Sequence, residues 1–500
     1  METLQNFPLG ATYPDSPHAV ISCLPTMADV RGYKEKDPRV TAAMASGYPR
    51  FVTHAWVRRL IEFYLKQSGL SGRVALLVTG RRAADSVIAH LRSGIEKREV
   101  AADIYLVSCL ETEPAKAELM QKYVQHTGCG ISSRRAEDLL VECGLLESTF
   151  EEAVYLGNAE LEAERLRADQ IGCEVRDVLL CSSGMSAFYA GFRAVREYQR
   201  EKSRSVWLQI GWLYLDSGVI LREFLNEDER LVCLYDISDI DALIEQVRSI
   251  GDALAAVVVE CPSNPLLQVC DLPRLAAAVR EQGGVLMVDP TMASVYNVDV
   301  LPHADLLVTS LTKYAACRGD VMAGVLALNK ESPHYGNLVL RTSAFHVPSY
   351  DRDLARLVYE MKEAPKIVAQ INDNAARLFG FLQQHSQVNA VHYAGNAEWF
   401  PSVARSNGAA GAVLSIELKG SMEAFYDAVR AIKGPSFGTY FTLLCPFIYL
   451  AHYDLVTADK GRDFLADVGI DPELIRISVG AEPYSEIEAV FARALEAAAQ

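Results

Sequence analysis

An aspartate, a lysine and two hydroxyl side chains stand where neighbouring apolar runs stop. Residues 284–288 run into Asp289, residues 304–309 into Ser310, Thr312 and Lys313, and a third run covers residues 322–328. A lysine amine can form an imine with an aldehyde, a carboxylate can keep a pyridine nitrogen protonated, and hydroxyls can hold a phosphate. Together they suggest a pyridoxal phosphate (PLP) site. Taken singly, Asp289 reads as a strand-end cap and Lys313 as a surface lysine, so the pair needs support from the rest of the chain.

Other segments offer that support. Ser182, Ser183, Gly184 and Met185 join a strand to a helix, where backbone N–H groups and the helix dipole favour an anion. Tyr214, in the Trp212-Leu213-Tyr214 run, can stack on a flat ring, although core packing is the commoner fate of such residues. Asn264 lies between Pro262 and Pro265 after Glu260, and its amide can meet a cofactor or a substrate carboxylate or simply make a turn. Arg476 alternates with Ile475 and Ile477 on a strand; its fork suits a carboxylate, and a surface arginine fits as well. Tyr48 and Arg50 flank a stiffening proline in SGYPRF (46–51) and could grip an anion, as could Gly80, Arg81 and Arg82, though ordinary turns explain both.

Unalternating apolar runs suit strands buried on both faces of a mostly parallel sheet, whose functional groups collect at the carboxyl ends of the strands. Seven such runs are expected at 177–182, 205–210, 231–235, 255–260, 284–288, 305–309 and 322–328, with helices between several of them. Ser238 with Asp241, and Ser485 with Glu488, resemble capping boxes. Asp271 and Pro273 open a helix that Gly283 closes. The expected plan is an irregular arm (1–60), an α/β extension (61–150), a large domain (151–365) and a smaller α+β domain (366–500). In the extension, strands are expected at 73–79 and 103–107 and helices at 83–91, 115–126 and 133–146. Residues 151–171 and 366–385 read as helices, and 411–418 and 474–479 as half-exposed strands.

Composition narrows the classes. A formal net charge of −16 over 500 residues argues against a nucleic-acid or anionic-lipid surface. The first ten residues lack a secretory pattern, and no run reaches membrane-span length. The 11 dispersed cysteines, with no C-x-x-C pair, fit reduced thiols and a cytoplasmic protein. Neither G-x-G-x-x-G nor a P-loop is present.

SSGM, E-x-P-x-NP, VDPT, TSLTKY and IRISVG resemble the Cys/Met-metabolism family of PLP enzymes. CLPTMADVRGY (23–33), SGYPRF and the stretch from Lys433 to Asp454 extend the likeness to the long fungal-type cystathionine γ-synthases. The resemblance implies fold type I, with a seven-stranded mostly parallel sheet, helices on both faces and a smaller C-terminal α+β domain. It implies Lys313 as Schiff-base lysine and proton shuttle, Asp289 as pyridinium partner, and Tyr214 stacked on the ring. Gly184, Met185, Ser310 and Thr312 would hold the phosphate, with Tyr48 and Arg50 arriving from a neighbouring subunit. Asn264, Ser436 and Arg476 would hold an amino-acid substrate. A homo-oligomer, dimer or tetramer, is implied, and no metal. Two departures stand out: about a hundred extra residues before SSGM, and Tyr214-Leu215-Asp216 in place of Tyr-Gly-Gly.

The reaction implied is departure of a Cγ substituent after Lys313 removes a Cα and then a Cβ proton. Replacement by cysteine on an O-acylated homoserine is the first expectation. The alternative is a γ-lyase acting on methionine, cystathionine or an O-substituted homoserine such as canavanine. A regulatory paralogue without activity is the non-enzymatic alternative.

Overall fold

The protein is described here from a computed structural model covering residues 3–44, 48, 50–406 and 408–499. Ser46, Gly47 and Pro49 of the SGYPRF run lie outside the described residues. The arm is less irregular than expected. β1 (Thr12–Tyr13) pairs antiparallel with β2 (Ile21–Ser22). Two short helices follow, α1 (Met27–Lys34), opened by a Thr26–Asp29 capping box, and α2 (Pro38–Ala43). Elements this short carry too few apolar positions to show a helical period. α3 (Ala55–Gln67) runs across residue 60 and buries Val57, Leu60 and Tyr64 at i, i+3 and i+7.

The extension holds β3 (Arg73–Thr79), α4 (Arg81–Leu91), β4 (Glu96–Ala101), β5 (Ile104–Leu110), α5 (Pro114–Thr127) and α6 (Ser133–Glu142). Its antiparallel sheet has the order β3-β5-β4. β4 escapes a sequence reading because it is an edge strand, EKREVA, whose charges blunt the exposed edge rather than pack. Leu60, Leu77, Leu106 and Leu139 form this segment's own small core. The helix expected at 133–146 stops at Glu142.

Helix α7 (Ala159–Ile171) begins only at its Asn158 cap, because the Asn158 side chain accepts from the N–H of Leu161; residues 151–158 are not helical. The large sheet then takes shape, with all seven expected strands present. These are β6 (Val178–Cys181), β7 (Val206–Ile210), β8 (Arg230–Leu234), β9 (Leu254–Glu260), β10 (Val285–Asp289), β11 (Leu306–Ser310) and β12 (Gly324–Leu328). Their spatial order is β6-β12-β11-β10-β9-β7-β8. Only β12 runs antiparallel to its neighbours. Helices α8 (Gly184–Arg200), α9 (Leu215–Glu223), α10 (Ile240–Ile250), α11 (Leu272–Glu281) and α12 (Tyr335–Phe345) cover the sheet. One apolar core fills each face, around Val257, Leu286 and Leu307 on one side and Phe192, Trp207 and Met287 on the other. Burying each large apolar side chain contributes about 1.5–3 kcal/mol.

Asp271 caps α11 as expected. The cap of α10 is Asp239, not Ser238, whose hydroxyl donates to Asp236 instead. The final helix (Tyr484–Ala498) starts before Ser485 and has no side-chain cap, so the second expected box is absent too. In the first case the cap moves one residue on, to Asp239; in the second the helix begins directly after Pro483, which lies two residues before Ser485.

α13 (Asp351–Gln384) is a 34-residue helix that crosses residue 365 and carries Pro365 inside it. The C-terminal part adds a five-stranded sheet in the order β13-β14-β17-β16-β15. Its strands are β13 (Val388–His392), β14 (Val413–Leu418), β15 (Ile432–Lys433), β16 (Leu443–Pro446) and β17 (Ile475–Ser478). β17 alternates as expected but is not half-exposed. Arg476 and Ser478 are 4% and 2% exposed, because their face turns toward a cleft and not toward bulk water. Among the described residues no helix is long and apolar enough to cross a membrane, and no group of side chains could hold a metal.

Candidate active site

The cleft lies at the carboxyl ends of β6, β7, β9, β10 and β11, roofed by β16 and β17. The ends of these five strands deliver the functional groups there. β10 ends on Asp289, which lines the cavity. The Asp289 Oδ1 accepts from the Thr291 N–H at 2.8 Å and from the Thr291 hydroxyl at 2.5 Å. Burial pushes this carboxyl up to about 6, against the Thr291 hydrogen bonds. On the adjacent strand Glu260 pairs with Asp289 in register. Burial first, and then the Asp289 charge, push Glu260 well above the usual carboxylate range. Its Oε1 accepts from the Tyr214 N–H.

Lys313 follows β11 in a tight turn, 7% exposed. Its Nζ donates to the Ser436 hydroxyl at 3.2 Å and sits 4.7 Å from the Tyr48 ring centre and 4.9 Å from that of Phe437. Burial lowers the ammonium's pKa, which favours the free amine that nucleophilic and base chemistry require. Burial works to raise the Tyr48 phenol, but the Lys313 and Arg50 cations overcome it and hold the phenol below its ordinary value.

At the end of β6, Ser183 caps α8 in a box with Ser186. The Ser183 hydroxyl is therefore committed to Ser186, while the Gly184 and Met185 amides open α8 toward the cavity without a side-chain cap. Ser310 packs against this turn. A Cβ on Gly184 would meet the Ser310 Cβ at 2.8 Å, so only glycine allows the approach. The Ser310 hydroxyl is buried with no hydrogen-bond partner.

Arg476 is buried, yet among the described residues no carboxylate pairs with it. Its guanidinium donates to the Asn264 Oδ1 at 3.0 Å and to the Pro435 carbonyl at 3.3 Å, between the Phe437 and Phe447 rings. A buried cation with only neutral partners suits an anionic ligand.

Tyr214, Met185, Gly184, Asn264, Asp289, Ser310, Lys313, Arg476, Tyr48 and Arg50 all line this one cavity. Ser436 stands just behind it, in contact with Lys313. Thr312 does not reach it. The Thr312 hydroxyl is fully buried, donates to the Ala323 carbonyl and accepts from the Ala323 N–H, so it shapes the lysine turn and is not directed at a phosphate. Tyr48 and Arg50 were expected from a neighbouring subunit; here the chain's own copies occupy the cavity wall. Sequence reading gave no role to Glu260, Thr291, Phe437 or Asp216. Thr291 was visible in VDPT, two residues past Asp289. Asp216 was visible as a charged departure. Phe437 carried no signal.

Residues 173–496 match the family of Cys/Met metabolism PLP-dependent enzymes. The chain belongs to this family. It is 36% identical over 493 residues to an L-2-amino-4-chloropent-4-enoate dechlorinase/desaturase of Streptantibioticus cattleyicolor, covering 97% of both chains. It is 26% identical to a cystathionine gamma-synthase of Neurospora crassa, covering 98% of each. The fold is shared with cystathionine gamma synthase from Xanthomonas oryzae pv. oryzae in complex with aminoacrylate and cysteine. That likeness has a TM-score of 0.58 at 22% identity and covers 69% of this chain and 87% of that one. The protein is thus a PLP-dependent enzyme of the γ-synthase and γ-lyase family with the type I fold.

The residues present fit the cofactor. The unpartnered Ser310 hydroxyl, the glycine-only approach at Gly184 and the uncapped amides of α8 would make a phosphate seat. Asp289 would meet the ring nitrogen, Lys313 the aldehyde carbon, and Tyr214 the ring face. Bound there, PLP supplies an electron sink that makes the Cα–H of an attached amino acid acidic.

Proposed function

We propose that this enzyme removes a substituent from C4 of a small 2-amino acid, a γ-elimination. The observation that carries the reading is the single carboxylate fork. Arg476 and Asn264 would hold the one α-carboxylate, and the cavity beyond them is walled by Phe51, Phe447, Leu450 and Ala451. Arg50 also lines the cavity but is paired with Asp216. A reaction that joins two amino acids needs a second carboxylate seat, which this apolar wall does not favour. Full-length similarity to a dechlorinase/desaturase supports the same reading.

Within this cleft Lys313 takes the Cα proton and then a Cβ proton, while the C4 substituent departs with its bonding pair. Arg476 fixes the carboxylate so that the Cα–H faces Lys313. Tyr48, kept acidic by its two cationic neighbours, exchanges protons with Lys313. The Phe437 and Phe447 rings exclude water from the reacting carbons.

The test is leaving-group release from 2-amino acids bearing chloride, acyloxy or thioether at C4, with and without cysteine. Cysteine-independent release, fastest with the halide, is expected. Strict dependence on cysteine would overturn it in favour of the second reading, replacement on an O-acylated homoserine. Lys34 favours that alternative: its half-buried ammonium lines the cavity and, among the described residues, donates only to the Leu450 carbonyl at 3.0 Å, leaving donors for a second carboxylate. The proposal includes a homo-oligomeric assembly and a cytoplasmic setting, checked by sedimentation and by fractionation.

A further inference from the structure

Asp216 stands in the first turn of α9, fully buried, between the arm and the extension. One of its oxygens accepts from the Arg50 guanidinium at 2.5 Å. The other lies 2.8 Å from the His126 Nδ1 and accepts from the Gln125 amide at 3.3 Å. His126 and Gln125 belong to the last turn of α5, in the extension. The same guanidinium donates to the Gln125 carbonyl at 2.9 Å and to the Tyr214 hydroxyl at 2.7 Å. Three of these contacts converge on Arg50, whose side chain is 7% exposed and lines the cavity.

We propose that Asp216 and His126 are positioning residues for Arg50, and that through them the extension is part of the cofactor phosphate site. A free arginine on a loop would lose rotamer freedom each time it met a phosphate. Here that loss is already incurred, because the carboxylate fixes one edge of the fork and His126 fixes the carboxylate. Asp216 stands where the family resemblance implies a glycine, so the tether belongs to a chain that carries the extension. The inference rests on Arg50 meeting the cofactor phosphate, and the test separates the two claims.

The apoenzyme is titrated with PLP, following the absorbance of the bound form, and separately with inorganic phosphate as a competitor. Asp216→Asn and His126→Ala are each expected to weaken PLP by about tenfold or more, as loss of a partner to a buried charge does. Phosphate should compete less well in both variants. His126→Asn, which keeps a donor near the Nδ1 position, should recover most of the affinity. In an Arg50→Ala background Asp216→Asn should add little, since its target is gone. Far-UV circular dichroism and thermal unfolding establish that each variant is folded. If Arg50→Ala itself leaves PLP affinity unchanged, the assignment of Arg50 to the phosphate fails and the proposal with it. If Arg50→Ala weakens PLP while Asp216→Asn and His126→Ala do not, or if the effects simply add, the positioning role alone is overturned.

Discussion

Where the extension docks on the large domain, Arg134 pairs with Glu152 at 2.7 Å and with Asp353 at 3.3 Å, and Arg356 with Asp320 at 2.8 Å and Glu360 at 3.0 Å. Glu137 joins this cluster through Arg352 and His18. In the cleft, Lys313 and Arg476 are equally buried, yet their partners are hydroxyls, amides, carbonyls and rings. The acids Asp289 and Glu260 stand side by side on adjacent strands instead of facing those cations. Charge in the docking region is balanced by the protein itself. In the cleft, Arg50 is balanced by Asp216, whereas the charges of Lys313 and Arg476 are left for a ligand to balance. Desolvated charge costs several kcal/mol per ion unless paired, so the first arrangement holds the chain together and the second stores affinity for anions.

Breaking this contrast gives ordered outcomes. Lys313→Ala should lower turnover by about a thousandfold or more, the upper part of the range for a lost general base. Borohydride should then no longer fix the cofactor, whereas in the unaltered enzyme the label should map to Lys313. Arg134→Met removes one partner of a compensated cluster and should cost about 3–5 kcal/mol of stability in denaturant titration. Arg476→Met should leave the apoenzyme at least as stable, because it removes a charge that has no carboxylate partner. It should instead raise KM about tenfold to a hundredfold, as expected for a lost carboxylate fork.

Asp289→Asn sharpens the comparison through pH. The folded apoenzyme holds the Asp289 proton up to about pH 6, whereas the ordinary value is 3.8. Between these values the unfolded chain releases a proton that the folded one keeps, so this group costs stability progressively as pH rises. The variant should nearly match the unaltered apoenzyme near pH 4 and exceed it above pH 6, by about 3 kcal/mol. A difference that is flat with pH would show that Asp289 is not held protonated. The smallest effect concerns the arm. In mixed oligomers of Lys313→Ala and Arg50→Ala chains, activity no greater than the Arg50→Ala enzyme alone is expected if Arg50 serves its own chain. Recovery of a fully active site would assign it to the neighbouring one.

The large domain was the most legible part of the chain because its strands are buried on both faces. All seven apolar runs became strands of one sheet, and the residues that ended them, Asp289 and Ser310, ended at the cleft. Short and charged elements were hidden. α1 and α2 are too brief for a period, and β4 is an edge strand in which charge replaces hydrophobicity. Thr312 shows the limit of reading roles by proximity. It adjoins Lys313 in sequence, but the turn points its hydroxyl at Ala323. Asp216 shows the converse, since a departure from the family pattern marked a buried contact that no spacing rule foresees.

The formal charge of −16 lends the unpaired cations of the cleft one more consequence. A doubly charged ligand diffusing in from solution is repelled by the molecule as a whole and attracted only after it has passed the rim. Added salt weakens the long-range repulsion more than the short-range attraction inside. Capture of cofactor by the empty enzyme should therefore speed up as ionic strength rises, the reverse of what a basic surface funnel would produce.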